Sequence, residues 1–240
     1  MPFHFFVPEL IDTNLVELEG DRAHYLGRVM RVRAGEELAC FDGQGGRYLA
    51  TVDSVHAKHV VLTSAGRTAQ DTAPDIANHL CLSLLKGQAM DRAVQSAVEL
   101  GAATITLTNS ERTNVKLDAR RAENKLTHWR KIVIGACEQS GRAHIPKLSL
   151  SNSLQELLAD HGPDMSLIVC EESGSSSLPL EHAERVFLIG PEGGYSQTEL
   201  TQLEQLGTKK VSLGATTLRA ETVPAVLLGL VNYLDAQSRS

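Results

Sequence analysis

FLIGPEGGYS, residues Phe187 to Ser196, and VSLGATTLRAET, residues Val211 to Thr222, each read as a strand running out into a glycine-bearing loop. The apolar run from Val186 to Ile189 stops at Gly190-Pro191-Glu192-Gly193-Gly194, where glycine permits positive φ and lets a ligand come close to the backbone. A helix is predicted to follow at once. Ser196 and Glu199 have capping-box spacing, apolar side chains recur at Leu200, Leu203 and Leu206, and Gly207 stands where a helix stops. The second strand, Val211 to Leu213, ends at Gly214 in the same manner. Two such loops at strand C-termini, joined by a helix, make the crevice in which open α/β sheets place ligands.

Working back from this stretch, strands and helices alternate. Leu80 to Leu85, Thr104 to Leu107 and Leu167 to Val169 read as strands, and Ala89 to Leu100, Arg120 to Gly135 and Leu154 to Leu158 as helices. Asn109 to Leu117, Cys137 to Leu148 and Glu171 to Ser177 read as polar loops. Pro224 to Leu234 forms an almost wholly apolar last helix, which must be buried, with a subunit interface as the expected place. The alternation implies a largely parallel sheet covered on both faces. Before Thr68 the period differs. A short helix near Tyr25 to Met30 is followed by strands at Leu38 to Phe41, Arg47 to Val55 and His59 to Leu62, with Asp42-Gly43 and Gly45-Gly46 supplying a hairpin turn. RTAQDTAPD, Arg67 to Asp75, reads as the linker. The domains are therefore residues 1–70, small and β-rich, and residues 74–240, α/β.

A chain of 240 residues with 42% hydrophobic content can bury a sizeable core. No apolar run reaches the roughly 18 residues that span a bilayer, and the opening MPFHFFVPEL does not look like a signal peptide, so a cytoplasmic location is expected. The net charge of −6 argues against a surface that grips nucleic acid everywhere, yet it is uneven. From Ser110 to Lys147 nine basic residues, Lys116 among them, face four acidic ones, a local +5 that leaves −11 for the rest. Such a strip is either an anion-binding face or a solvated helix surface.

The glycine loop is a poor phosphate cradle, since no lysine follows it and Glu192 would repel the anion. A cationic ligand with an adenine-like ring, held by backbone groups, suits it better; a plain strand-to-helix turn is the bland alternative. Cys40, Cys81 and Cys170 lie in apolar runs and read as core. Cys137 falls in a polar stretch where a nucleophilic thiol could sit, although no adjacent residue would lower its pKa. The nine histidines show no metal spacing, and no metal is assigned. Arg219 and Glu221, beside the second glycine loop, are the charged candidates for a reacting centre, their alternative being a surface ion pair.

LIGPEGGYS with Glu199-Leu200 resembles the IGPEGG(F/Y)S..E(L/F) signature of the ribosomal RNA small subunit methyltransferase E family, in the SPOUT superfamily. Ser110-Glu111-Arg112-Thr113, Trp129 to Ile132, Glu138 to Arg142, Leu213-Gly214 and Leu218 to Thr222 are similar to further blocks of that family, in the same order. AHYLGRVMRVRAGE and FDGQGGRYLA resemble its N-terminal domain. The pattern departs at Ala215, Thr216, Ala220 and Val223, which bears on substrate contacts more than on the cofactor.

The resemblance implies a PUA-like RNA-binding barrel over residues 1–70 and a SPOUT-type parallel sheet with a C-terminal trefoil knot over residues 74–240. It implies a homodimer that uses S-adenosylmethionine to methylate N3 of a uridine in 16S ribosomal RNA, in the small ribosomal subunit. Cofactor contacts would fall on Leu167, Glu171, Leu188, Ile189, Gly190, Pro191, Glu192, Gly193, Leu213, Gly214, Thr217 and Leu218. Arg219 would stabilise charge on the uracil ring, and Glu221 or Glu138 would orient the base or take its proton. Arg22, Arg28, Arg31, Arg112, Arg130 and Arg142 would contact RNA. Another ribosomal or tRNA site, or a catalytically silent ribosome-assembly factor, stays open as an alternative.

Overall fold

The computed structural model describes residues 4–56, 58–73, 75–115, 118–159 and 165–238; Lys116 of the basic strip and the Pro74 boundary lie outside them. The chain divides into two compact units, Met1–Ala73 with Cys137–Ile145, and Pro74–Ala136 with Pro146–Ser240.

In the first unit, β1 (His4–Phe6), β2 (Leu15–Glu19), β3 (Glu37–Phe41), β4 (Gly46–Val55) and β5 (His59–Gln70) form a mixed sheet in the order β1-β3-β4-β5-β2. β1 runs parallel to β3, and the other pairs are antiparallel. Every second residue of β2 and the first part of β4 is buried, the pattern of a sheet with one face on a core. Val16, Leu18, Leu26, Val52, Val60 and Leu62 fill that core. The β3–β4 turn is organised by the buried Asp42 carboxylate, which accepts N–H groups of Gln44 (2.7 Å) and Gly46 (2.9 Å) and the Tyr48 hydroxyl (3.0 Å). The predicted short helix is a single turn, α1 (Gly20–His24), continuing as a π-turn over Tyr25–Met30. Half of the predicted linker is strand instead, because β5 stays paired with β4 as far as Gln70 with Gly46.

The second unit holds a parallel sheet. β6 (Ala77–Ser83), β7 (Thr104–Thr108), β8 (Lys147–Ser151), β9 (Ser166–Ser175), β10 (Glu184–Ile189) and β11 (Lys209–Val211) stand in the order β11-β9-β10-β6-β7-β8. β10 is buried along all but its first residue, as expected of a strand covered on both faces. The helices are α2 (Gln88–Glu99), α3 (Ala119–Ser140), α4 (Leu154–Ala159), α5 (Gln197–Gln205) and α6 (Val223–Ser238). α5 begins with both bonds of its capping box and is followed by Gly207 at φ +75. Two predicted loops are partly regular structure. α3 continues to Ser140, and β9 runs on to Ser175, where Gly174 lets the Val211 backbone approach; a Cβ there would sit 2.5 Å from Val211 main-chain atoms.

The last helix is not buried all round. Pro224, Leu227, Leu228 and Val231 face inward, while Leu230, Tyr233 and Leu234 are exposed. No helix among the described residues is long and apolar enough to cross a membrane.

Candidate active site

The loops leaving the C-terminal ends of the second unit's sheet surround a cavity of about 820 Å³. Its walls include Ala89 at the start of α2, Arg112 after β7, Cys170 to Glu172 on β9, Ile189 at the end of β10 with Gly190 to Tyr195 after it, and Thr217 to Glu221 with Val223 before and within α6. A smaller recess of about 100 Å³ shares Cys170, Glu171, Glu172, Thr217, Leu218 and Val223 and adds Leu213 and Gly214. The Thr217 hydroxyl donates to Glu172 where the two meet.

The glycine loop folds back on itself. Gly194 adopts φ +66 and donates its N–H to Pro191 O at 2.9 Å, while a Cβ on Gly190 would come within 3.2 Å of the Gly194 carbonyl carbon. Larger residues would displace the loop. Arg112 lies against it and donates from Nη1 to Gly193 O at 2.9 Å. Tyr195 turns away from solvent into a cluster with Cys81, Leu167, Val169, Val186 and Leu188, where burial pushes its hydroxyl pKa far up.

The cavity walls carry four carboxylates, Glu171, Glu172, Glu192 and Glu221, against two guanidinium groups, Arg112 and Arg219. This balance favours a ligand with positive charge. Burial raises the Glu171 pKa, an effect that Lys210 opposes, neighbouring Glu172 reinforces and Arg112 opposes. Glu221 has only 13% of its side chain exposed and pairs with Arg92 of α2 at 3.2 Å.

Of the sequence candidates, Glu171, Ile189, Gly190, Pro191, Glu192, Gly193, Thr217, Leu218, Arg219 and Glu221 line the main cavity, and Leu213 and Gly214 line the recess. Leu167 and Leu188 are buried beneath it, in the cluster that carries Tyr195. Arg112, read as an RNA contact, is part of the wall. Glu138 is placed in the first unit, where its half-buried carboxylate accepts the Phe6 N–H at 3.1 Å. Arg22 is there too, bonded bidentately to Glu9 at 2.6 and 3.0 Å and to Phe6 O at 3.2 Å. Arg28, Arg31 and Arg130 are exposed, and Arg142 is half-buried, which lowers its pKa. The basic strip is thus divided between two units and several roles.

Cys137 is buried in the last turn of α3 and points its thiol at His144 O (3.9 Å); burial raises its pKa to about 11, the mark of an inert thiol. Cys170 borders the cavity although its sequence reads as core, with its pKa raised to about 12 by burial. The pairing of Arg92 with Glu221 and of Glu172 with Thr217 has no local signature, because only the fold brings these residues together.

A family model described as an RNA methyltransferase domain matches residues 73–232, and one described as an RNA methyltransferase PUA domain matches residues 18–63. The ribosomal RNA small subunit methyltransferase E of a Synechocystis strain is 30% identical over 239 residues, covering 95% of this chain and 76% of its own. The Bacillus subtilis protein of that name is 28% identical over 228 residues, covering 90% and 89%. The crystal structure of a ribosomal RNA small subunit methyltransferase E from Neisseria gonorrhoeae bound to S-adenosyl methionine has a TM-score of 0.85 and 28% identity, covering 98% of both chains. A Legionella pneumophila protein in complex with the cofactor SAM has a TM-score of 0.84, also at 28% identity, covering 97% of both.

Proposed function

The chain belongs to the ribosomal RNA small subunit methyltransferase E family, and from that premise we propose that it methylates N3 of a uridine in 16S ribosomal RNA with S-adenosylmethionine as donor. The observation that carries the proposal is the acidic cavity closed by the folded glycine loop. Its carboxylates match a cation, and its close-approaching backbone offers amide and carbonyl groups to an adenine. Ile189 to Gly193 would hold the donor together with Leu213, Gly214, Thr217 and Leu218, and Glu171 would complement its charge. Leu167 and Leu188 would support that wall from below. The bound donor supplies an electrophilic methyl group.

The rest falls to the chain's own side chains. The N3 proton of uracil must leave, and negative charge then spreads over the ring. Arg219, exposed on the cavity wall, stabilises that charge through its donor fork. Glu221, fixed by Arg92, orients the base and accepts the proton. We assign this step to Glu221 rather than to Glu138, whose carboxylate already accepts the Phe6 N–H. Arg28 and Arg31 of the first unit and Arg130 of α3 contact phosphates of the RNA.

The same premise carries three further assignments. The segment from Lys209 to Val223, which returns beside β9, forms the family's trefoil knot. The exposed Leu230, Tyr233 and Leu234 form the contact of a homodimer. The protein works in the cytoplasm, on its ribosomal RNA. Incubating it with labelled S-adenosylmethionine and small subunits from cells lacking this enzyme tests the main proposal. Label at N3 of one 16S uridine is expected; cofactor binding without transfer, or transfer to tRNA, would refute it. Light scattering tests the dimer, which a monomeric parent protein would exclude.

A further inference from the structure

Glu199 is 5% exposed, and its carboxylate accepts two hydrogen bonds, of which the capping box explains one. Oε2 accepts the Ser196 N–H at 2.8 Å, while the Ser196 hydroxyl accepts the Glu199 N–H at 3.1 Å. Oε1 reaches away from α5 and accepts the N–H of Glu111 at 2.9 Å. Glu111 is the second residue of a tight turn after β7, closed by Thr113 N–H to Ser110 O at 3.0 Å and by Ser110 N–H to Thr113 Oγ1 at 3.0 Å. The next residue, Arg112, carries the bond to Gly193 O. β7 and β10 both pair with β6, so this clasp joins two loops across the end of the strand between them.

A carboxylate is required for both contacts. Each oxygen accepts one backbone donor, whereas a glutamine would turn its amide NH₂ toward one of them and leave that N–H without a partner. Bonds to a buried charge are also shorter and stronger than neutral ones.

We propose that Glu199 is a positioning residue for methyl transfer: it holds the Ser110–Thr113 turn so that Arg112 locks Gly193 and fixes the glycine loop in its working shape. The inference rests on the assignment of that loop to the methyl donor. It predicts that the loop is ordered before the donor arrives, because every contact in the clasp is internal to the protein.

Glu111→Pro tests the contact itself. Proline suits the second position of such a turn and has no N–H, so the donor to Oε1 is removed while Arg112 and the capping box keep their side chains. Glu111→Ala, which keeps the N–H, is the reference. In cofactor-free protein, hydrogen exchange over residues 190–199 is expected to be about tenfold faster in the proline variant, and single-turnover methyl transfer at saturating cofactor about tenfold slower. Adding Arg112→Ala to Glu111→Pro should then cost little more, since Arg112 is already released. Equal exchange and equal rates in the two Glu111 variants, or fully additive losses with Arg112→Ala, would overturn the proposal. Should Glu111→Pro fail to fold, Glu199→Gln carries the same expectations against the same measurements. If the parent protein binds no S-adenosylmethionine, the functional reading falls, and the exchange result still decides whether the clasp orders the loop.

Discussion

Several charged side chains of the first unit bond to one another and to backbone, whereas several of the second unit face a cavity. Arg47 illustrates the first arrangement. It binds Asp71 through two nitrogens at 2.6 and 2.7 Å, reaches His4 at 3.0 Å, and donates to Gly141 O at 2.8 Å, fastening the Cys137–Ile145 segment to the sheet. The pair raises the Arg47 pKa and lowers that of Asp71. Arg22 and Glu138 do the same around Phe6. In the second unit Arg219 and Glu192 lie on the cavity wall, and Glu171 is held there at a burial cost. The residue types are identical in the two places. Their neighbours decide whether they are tied into the fold or left on a cavity wall.

The sharpest break between the two arrangements should come from Arg219→Ala. Loss of an electrostatic donor of this kind costs on the order of 100-fold in single-turnover rate, with the S-adenosylmethionine dissociation constant little changed. An unchanged rate would remove Arg219 from the mechanism. Next comes Glu138→Ala, expected to leave the Phe6 N–H unsatisfied and cost about 1–3 kcal/mol in denaturant unfolding, with cofactor affinity intact. Burial is the main cause of the raised Glu138 pKa, so its protonated form is favoured by folding. Stability from this group is present at low pH and lost as pH rises through the folded pKa; Glu138→Gln, which keeps an acceptor, should flatten that dependence. If Glu138→Ala instead abolished transfer without changing stability, the division between the units would fail.

A third effect concerns Glu171. A cationic donor binds its ionised form, so affinity should weaken by up to about tenfold per pH unit as pH falls below its raised pKa, measured calorimetrically. Glu171→Gln should remove the dependence, and a flat profile in the parent protein would exclude Glu171 from the contact. The smallest effect is expected from Arg31, which sits in the left-handed region at φ 57 at the end of the π-turn. Arg31→Gly suits that backbone and should hold the melting temperature, while lowering the salt slope of RNA binding by roughly one. An unchanged slope would free Arg31 from phosphate contact.

Local spacing made much of this legible. The capping box of α5 and the stop at Gly207 are contained within a dozen residues, and both are where their spacing places them. The resemblance to a methyltransferase family is carried by motifs in the loops that line the cavity together with blocks in α3 and the N-terminal unit. What spacing could not show lies far apart in the chain. Arg112 meets Gly193 across 81 positions and Glu199 meets Glu111 across 88, so neither bond leaves a local signature. β8 carries a weak local signal because KLSLS has only two apolar residues and follows Pro146 within a polar stretch. Cys137 looked like a loop residue because its neighbours Glu138, Gln139 and Ser140 are polar; their helical turn buries the thiol on its inner side.

The pairing of β6 with β10 has a kinetic consequence. Ala77 lies opposite Glu184, so the central pair of the sheet closes a loop of 184 − 77 = 107 residues. Contacts of such long range form only after much chain entropy has been lost, and they slow folding. Until β10 slots between β6 and β9, both neighbours present bare hydrogen-bonding edges to other chains, a hazard for a polypeptide emerging from the ribosome. The glycine loop begins where β10 ends, so a ligand held by it binds only chains in which this pairing is complete and draws the population toward them by mass action.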